Sequence, residues 1–340
     1  MKKYSKSSNF YRNIKSSFYN RNESLLKAEL DRNRVYLKQP PRDKCKLCGS
    51  KLPETIDFTK HLVSYKFCRK CDHLNGIHDD TLNFAKEIYS NEDGSDYSKL
   101  YLEDNYNDRI NHIYLPKADF LIDQLSEKIS SVYDFGCGLG FLVNSFLSRG
   151  IDAKGGDVNK TLINAGNGII EKNFDIRPLE SIDIERVPSH IKSLDVEVLS
   201  LMAVMEHISN LDEFLEAINL SSFKYLYYSV PIYGLSVPIE SVFENVLPRH
   251  LSGGHTHLFT EKSLEILNKK LGVKPIAEWR FGTDIQDLKR SIQISLQKTG
   301  SSDYFIQRFE NEFSEYADQL QEIIDKNHNC SQIHVICKKL

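Results

Sequence analysis

The chain has 340 residues, of which 44 are lysine or arginine and 47 are aspartate or glutamate, and its formal net charge is −3. A length above that of one typical domain predicts a core domain with an appendage. The near balance of charges gives no global basic field that would attract nucleic acid. Because no run of about 18 apolar residues occurs, we predict no membrane span and a cytoplasmic protein.

Residues 1–42 begin with a basic, tyrosine-bearing stretch that lacks the apolar core of a signal peptide. Like charges at a terminus are usually solvated, so we expect a partly disordered tail here rather than an RNA-binding arm. One short helix is predicted over Asn22–Asn33, before Pro40 and Pro41.

Residues 43–78, the four-cysteine module, hold two Cys-x-x-Cys knuckles that are 19 residues apart. This spacing fits a tetrahedral site with four thiolate ligands, and we predict a structural Zn²⁺ there. Iron in the same cage stays an alternative, and disulfides are disfavoured without an export signal. Because four ligands close the site, the metal is expected to fold the module. The predicted ligands are Cys45, Cys48, Cys68 and Cys71.

Residues 79–130 show a helical pattern, which we interpret as a lead-in or lid that ends in a helix over Ile110–Leu125. From 131 to 231 apolar strands alternate with helical segments, with a fifth strand over Tyr225–Pro231. This alternation predicts a doubly wound α/β fold with a parallel sheet.

The first of these strands passes from Asp134 directly into the glycine turn, Gly136-Cys-Gly-Leu-Gly140, and then into a helix at Phe141. Glycines let the backbone approach a ligand closely where a Cβ would clash. A dinucleotide fingerprint is the rival interpretation, but it requires its third glycine at position 141, where this chain has Phe. A lone match to such a turn is also compatible with an ordinary strand-to-helix connection.

Two further strand ends complete the pattern. The second strand ends in Asp157, whose carboxylate can accept hydrogen bonds from two ribose hydroxyls. The fourth strand runs into Val204-Met-Glu-His207. In order and spacing, these three segments resemble class I S-adenosylmethionine (SAM)-dependent methyltransferases. The resemblance implies a Rossmann-like, seven-stranded sheet and a SAM site formed by Asp134, Gly136, Cys137, Gly138, Gly140, Asp157, Val158, Met205 and Glu206.

The methyltransferase domain is expected to cover residues 131–340, with two insertions. The first, residues 232–259, is longer than a structureless loop should be, so we expect it to be functional on the substrate side. A capped helix over Thr260–Leu271 and a sixth strand over Val273–Phe281 follow it. The second insertion, residues 285–327, is predicted to be two helices, and a final strand begins at Gln332.

The first insertion supplies the candidate catalytic residues. Methyl transfer to a hydroxyl or a carbon acid requires loss of a proton, and histidine titrates in the suitable range. His255 and His257 alternate by two, so in an extended segment they share a face. We predict one of them as the base, with His207 and Tyr233 lining the site. Further polar candidates are Glu240, Glu244, Arg249, His250 and the segment Arg280–Arg290, which closes the pocket or forms a solvated helix face.

A four-cysteine module ahead of a SAM domain also resembles sugar C-methyltransferases that act on nucleotide-linked keto sugars. Their Tyr-His-Glu-His segment is similar to Gly254–His257, although Gly254 stands where that family has its tyrosine. The resemblance implies a small polar acceptor, a sugar or nucleotide-linked sugar. The oligomeric state stays open.

Two alternatives belong to other functional classes. An RNA base methyltransferase would grip RNA through a basic module, and a non-catalytic SAM-fold scaffold would lack the cofactor residues, which this chain retains. The basic residues of the module are Arg42, Lys44, Lys46, Lys51, Lys60, Lys66, Arg69 and Lys70.

Overall fold

The computed structural model describes residues 1–7, 21–90 and 105–340. Parts of the expected tail and lead-in, residues 8–20 and 91–104, lie outside the described residues. The strands are β1 Lys2–Tyr4, β2 Phe58–Lys60, β3 Val63–Phe67, β4 Leu74–Gly76, β5 Ser131–Phe135, β6 Asp152–Asp157, β7 Leu179–Ser181, β8 Asp195–Met202, β9 Ser222–Pro231, β10 His257–Leu258, β11 Val273–Arg280 and β12 Gln332–Lys339.

Twelve α-helices are described, and among them none is both long and apolar enough to cross a membrane. Short π-helical turns extend α2 and join α3 to α4, over Lys86–Ser90 and Ile110–Tyr114. The helices are α1 Asn22–Tyr36, α2 Leu82–Ala85, α3 Tyr106–Arg109, α4 Leu115–Gln124, α5 Phe141–Leu147, α6 Lys160–Phe174, α7 Val187–Lys192, α8 Leu211–Leu220, α9 Ser236–Val242, α10 Glu261–Lys270, α11 Asp284–Lys298 and α12 Asp303–Lys326.

The central sheet has eight strands in the order β7-β6-β5-β8-β9-β12-β11-β1. Strands β5 to β9 are parallel, whereas β12 runs antiparallel to both of its neighbours. The order reverses between β5 and β8, because β5 continues through α5 to β6 on one side and β8 lies on the other. The predicted doubly wound fold is confirmed, with one strand more than the seven expected.

Strand β1 is the additional strand and differs from the solvated tail that we expected. Lys2–Tyr4 pairs in parallel with β11, and the indole Nε1 of Trp279 donates to Ser5 O at 3.0 Å. The ammonium of Lys3 lies 3.9 Å from the centre of a Trp279 ring. Lys3 therefore lies at the sheet edge, where backbone pairing and a cation–π contact offset the cost of ordering the chain.

The core lies on both faces of the central sheet, as its doubly wound topology requires. Along β9, the side chains of Tyr225 and Tyr227 pack on one face with α4, α5 and α6. Leu226 and Tyr228 pack on the other face with α7, α8 and α10. This alternation follows the two-residue period of a strand.

A second sheet joins the four-cysteine module to the first insertion. Its strand order is β10-β4-β3-β2, and β10 comes from the insertion. The amide of Gly76 also donates to Thr256 O at 2.8 Å. Helix α1, which runs three residues beyond its predicted end, packs on the module, and the Tyr36 hydroxyl donates to His78 O at 2.6 Å. The module and the insertion are thus one structural unit.

Candidate functional site

The four predicted cysteine ligands come together. Their Sγ atoms all lie within 4.8 Å of one another, with 3.5 Å between Cys45 and Cys71 and 3.6 Å between Cys48 and Cys68. A tetrahedral Zn²⁺ with bonds of about 2.3 Å would hold its sulfurs about 3.8 Å apart. Every cysteine in the described residues is a free thiol. The cluster therefore fits a structural zinc ion and argues against the disulfide alternative.

The thiolate form that a metal requires is favoured within the first knuckle. The hydrogen bond with Cys71 and the backbone amides of Cys48 and Leu47 lower the pKa of Cys45 against burial, while the same hydrogen bond raises the pKa of Cys71. The amide of Asn75 also points at the Cys45 sulfur, at 3.7 Å. Amide donors of this kind stabilise thiolate ligands.

The glycine turn has left-handed φ values of +77° at Gly136, +54° at Gly138 and +71° at Gly140. At Gly140 an added Cβ would lie 2.8 Å from Leu179 Cδ1, so that glycine is needed for packing. At Gly138 an added Cβ would come no nearer than 4.0 Å to another side chain, Leu162. The space beside Gly138 suits the close approach of a ligand to the backbone.

Asp157 fixes the turn to the end of β6. Its Oδ2 accepts from the Gly138 amide at 2.9 Å, and its Oδ1 accepts from the Asn159 amide at 2.8 Å. Burial raises its pKa, whereas these backbone donors lower it. Each carboxylate oxygen has two lone pairs, so the group still has acceptor capacity for a ligand.

Asp134 ends β5 beside the strand reversal and is 3 % exposed. Its Oδ1 has no hydrogen-bond partner among the described residues. Burial raises its pKa to about 7, against the effects of the Ser200 hydroxyl and of Lys117. Burial in turn lowers the pKa of Lys117 to about 8. A buried carboxyl with an unused oxygen at this edge of the sheet is suited to a cationic ligand group.

Lys117 and Tyr106 are candidate site residues that the sequence interpretation missed. Tyr106 stacks on Phe141 with ring centroids 4.7 Å apart, and its hydroxyl donates to Leu139 O at 3.3 Å. The lead-in therefore packs on the glycine turn. In the sequence, Tyr106, Ile110 and Tyr114 recur every four residues, and this period could have indicated the helix face that packs on the turn. Lys117 could have been noticed as a lysine among the apolar residues of a helix.

Glu206, His207 and His255, here named the Glu–His–His cluster, lie close together after β8. Each offers one metal-ligating atom, and these atoms are within 4.8 Å of one another. The rings of His207 and His255 have centroids 4.9 Å apart. Burial raises the pKa of Glu206 to about 8 and lowers those of His207 and His255 to about 4 and about 3. The cluster joins the β8 end to the insertion.

His257 lies elsewhere. It is fully buried in β10, its Nδ1 is 2.9 Å from Nε2 of His73, and burial lowers its pKa well below the ordinary value. The ring of His255 lies against that of His207, whereas the ring of His257 lies against that of His73. The chain turns at 252–255, where the amide of His255 donates to Ser252 O, and becomes extended only at His257. Tyr233 packs edge-on against Phe67 of the four-cysteine module, at 5.2 Å between centroids.

The remaining polar candidates of the insertion form its scaffold. Glu240 accepts from the amides of Arg249, His250 and Leu251 at 2.9–3.1 Å. The Arg249 guanidinium donates to Asp287 at 2.7 Å. Glu244 has a largely exposed side chain. These contacts hold the loop in place.

The segment Arg280–Arg290 is neither a solvated helix face nor a simple lid. Asp284 is fully buried, and its Oδ1 accepts from the Ser236 amide and hydroxyl at 2.9 and 2.7 Å. Arg280 is 3 % exposed and donates to Glu261. Asp284, at the start of α11, therefore anchors α9, whereas Arg280, at the end of β11, pairs with α10.

Comparisons with known proteins give only distant likenesses. No family model and no curated protein matches the chain. A SAM-dependent methyltransferase from Archaeoglobus fulgidus is similar over 76 % of this chain and 98 % of its own, with 16 % identity and a TM-score of 0.42. Geranyl diphosphate C-methyltransferase from Streptomyces coelicolor A3(2) is similar over 74 % and 87 %, with 11 % identity and a TM-score of 0.42. Neither likeness assigns an activity or a residue role to this chain.

Proposed function

We propose that the chain is a SAM-dependent methyltransferase whose cofactor lies at the carboxyl ends of β5, β6 and β8. The observation that carries this proposal is the coincidence of the glycine turn, open beside Gly138, with the reversal of strand order. In open α/β sheets, ligands bind in the crevice outside the carboxyl ends of the strands at such a reversal.

The buried carboxyl of Asp134 receives the amino group of SAM in this proposal, and the spare lone pairs of Asp157 receive the ribose hydroxyls. Both groups lie at strand ends that flank the glycine turn. The pocket walls are assigned to Cys137, Val158, Met205 and Glu206.

The reaction transfers the methyl group in line from the sulfonium sulfur to an acceptor oxygen. The C–S bond breaks, the C–O bond forms, S-adenosylhomocysteine leaves, and the acceptor loses its proton. We propose that the Glu–His–His cluster promotes the loss of that proton. His257 is the weaker candidate because it is not part of that cluster, although its Nε2 has no hydrogen-bond partner among the described residues.

A small polar acceptor, such as a sugar or nucleotide-linked sugar, suits a cluster between the β8 end and the insertion in which Glu206 is buried and the two histidines are partly exposed. RNA binding is less favoured, because several basic residues of the module are not available to a partner. Arg42 and Lys46 are buried with Asp80, and Lys60 is buried with its Nζ donating to Phe243 O.

The matched glycines Gly138 and Gly150 test the cofactor site. Both have positive φ, and an added Cβ meets ordinary contact or open space at each. Alanine at either should therefore cost about 1–2 kcal/mol of stability. Only Gly138→Ala places a methyl group where SAM approaches the backbone, so calorimetry should show its SAM affinity at least tenfold weaker, with that of Gly150→Ala unchanged.

Absence of SAM binding by the wild type, or binding of NADH in its place, would refute the cofactor assignment. Equal affinities in the two alanine variants would move the cofactor away from the turn. For the acceptor class, labelled SAM is incubated with separate small-molecule and RNA fractions of a cell extract. Label in the small-molecule fraction is expected, and label in RNA alone would contradict the acceptor proposal.

A further inference from the structure

The Glu–His–His cluster brings together donors from two distant parts of the chain. Glu206 and His207 lie in the 3₁₀ turn Met205–His207, and His255 lies in the insertion. The turn follows Ala203, whose φ of +56° is unusual for a residue with a side chain. Such strain persists only where the surrounding structure imposes it, and it is concentrated at functional sites.

Two atoms of the cluster are buried without a hydrogen bond. They are Oε2 of Glu206 and Nδ1 of His255, for which the described residues provide no partner. Glu206 is only 1 % exposed. Burial of an unpaired carboxyl oxygen is costly, and native proteins rarely retain one without a ligand, a water or an ion.

Backbone carbonyls orient both imidazole rings. Nδ1 of His207 lies 3.1 Å from Gly254 O, and because a carbonyl only accepts, Nδ1 carries the proton and Nε2 carries the lone pair. The ring of His255 hydrogen-bonds to the backbone of His250, and its Nδ1 is the unpartnered nitrogen. Histidine ligands of metals typically donate their other ring N–H to a carbonyl or carboxylate in this way.

We infer that the Glu–His–His cluster binds one divalent transition-metal cation. Two imidazole nitrogens and one carboxylate oxygen suit Mn²⁺, Fe²⁺, Co²⁺ or Zn²⁺ better than the oxygen-rich sites of Ca²⁺ and Mg²⁺. Three protein ligands leave coordination positions open, whereas the four-cysteine cluster is closed.

The catalytic role of this cation rests on the proposed function. Beside a bound SAM, the open positions would take the acceptor hydroxyl, and the cation would lower the pKa of that hydroxyl as a Lewis acid. An acceptor with neighbouring oxygens, such as a sugar diol, fits two open positions. The proton of the acidified hydroxyl would then pass to water, and neither histidine of the cluster would need to act as the base.

Binding of Mn²⁺ by the full-length, zinc-loaded protein tests the inference without SAM or an acceptor. The paramagnetic resonance signal of aqueous Mn²⁺ is lost on binding, so a titration should show one Mn²⁺ per chain, with the zinc content unchanged by elemental analysis. Glu206→Gln and His255→Gln should each weaken Mn²⁺ binding at least tenfold. Glu240→Gln, which alters another buried glutamate, should leave it unchanged.

Full retention of the aqueous Mn²⁺ signal by the wild type would overturn the inference, as would equal affinities in Glu206→Gln and Glu240→Gln. Circular dichroism checks that each variant is folded. Where neither cluster variant folds, electron spin echo spectra of the wild type decide: couplings to imidazole nitrogen are expected, and their absence excludes this site.

Calorimetry with SAM separates this inference from the proposed function. Mn²⁺ binding without SAM binding would leave the metal site standing and remove the methyltransferase proposal. SAM binding without Mn²⁺ binding would do the reverse.

Discussion

Glu206 and Glu240 are both buried glutamates whose pKa is raised by burial, to about 8 and about 7. Their partners differ. The oxygens of Glu240 accept from three consecutive backbone amides and so fix the insertion, whereas Oε2 of Glu206 has no hydrogen-bond partner in the described chain. A carboxyl group that the fold satisfies is structural, and one that the fold leaves unsatisfied beside two histidines is available for a ligand.

The difference between Glu206 and Glu240 depends on the position of the insertion. The four-cysteine module holds the insertion in place through the pairing of β4 with β10. Zinc removal should therefore have the largest effect. Since zinc contributes about 10–16 kcal/mol to the folding of small modules, Cys45→Ser/Cys68→Ser should lose zinc and destabilise the insertion together with the module. Hydrogen exchange should show amide protection lost at Gly76 and in β10, with β5 and β8 still protected.

An unchanged exchange pattern in β10 after verified zinc loss would contradict this coupling. A Cys330→Ser variant, which alters a buried thiol outside the cluster, serves as the control and should retain its zinc.

The second-largest expected effect is a difference in turnover between Glu206→Gln and Glu240→Gln. Glu206→Gln removes the carboxylate ligand that we propose for the cation, so methyl transfer at saturating SAM should fall about a hundredfold or more. Glu240→Gln should keep its turnover per folded molecule, because Glu240 is not one of the three groups of the cluster. Initial rates of label transfer from SAM, corrected for the folded fraction, measure both effects. Comparable rate losses in the two variants would contradict the proposal that Glu206 binds a ligand and Glu240 is structural.

Stability without added Mn²⁺ should show the opposite order. Glu240→Gln presents an amide NH₂ to backbone N–H donors, which should cost about 1–3 kcal/mol of unfolding free energy. Glu206→Gln breaks no hydrogen bond of Oε2 and should change the stability by less than about 0.5 kcal/mol. Urea unfolding of both variants checks the order, and a larger loss in Glu206→Gln would show that Glu206 is structural.

The smallest expected effect is the pH dependence of SAM binding that Asp134 causes. Asp134 is a third buried carboxyl, with an oxygen that has no partner among the described residues, and it lies in the proposed cofactor site. Its pKa is raised to about 7, and the charged groups that face it are Lys117 from α4 and Asp157 from β6. The ammonium of SAM favours the ionised carboxylate, so binding lowers this pKa, releases a proton below pH 7 and strengthens as the pH rises. The SAM affinity should increase several-fold from pH 6 to about pH 7.5 and fall again at higher pH, where the amino group of SAM loses its proton. Calorimetry in buffers of different ionisation enthalpy measures the proton, and Asp134→Asn should abolish the increase.

The parts of the fold that follow from local patterns were predicted from the sequence. The glycine turn, the acids that end β5 and β6, and Thr260 as the cap of α10 each depend on residues close together in the chain. The cysteine cluster also followed from spacing alone, because two knuckles need only a hairpin to meet.

The long-range pairings could not be predicted. Strand β1 pairs with a segment about 270 residues away, and His73 meets His257 across 184 residues. The alternation of His255 and His257 also did not indicate that their rings lie against different neighbours, His207 and His73. Periodicity reports which side of an element is buried, and it carries no information on which distant element covers it.

The crystal structure of the zinc-loaded protein with S-adenosylhomocysteine is the most direct test of the cofactor site. The account predicts the ligand against the Gly136–Gly140 turn, with its amino group at Asp134, its ribose hydroxyls at Asp157 and its sulfur directed toward the Glu–His–His cluster. A ligand bound elsewhere, or a turn that stays without one at saturating concentration, would contradict it.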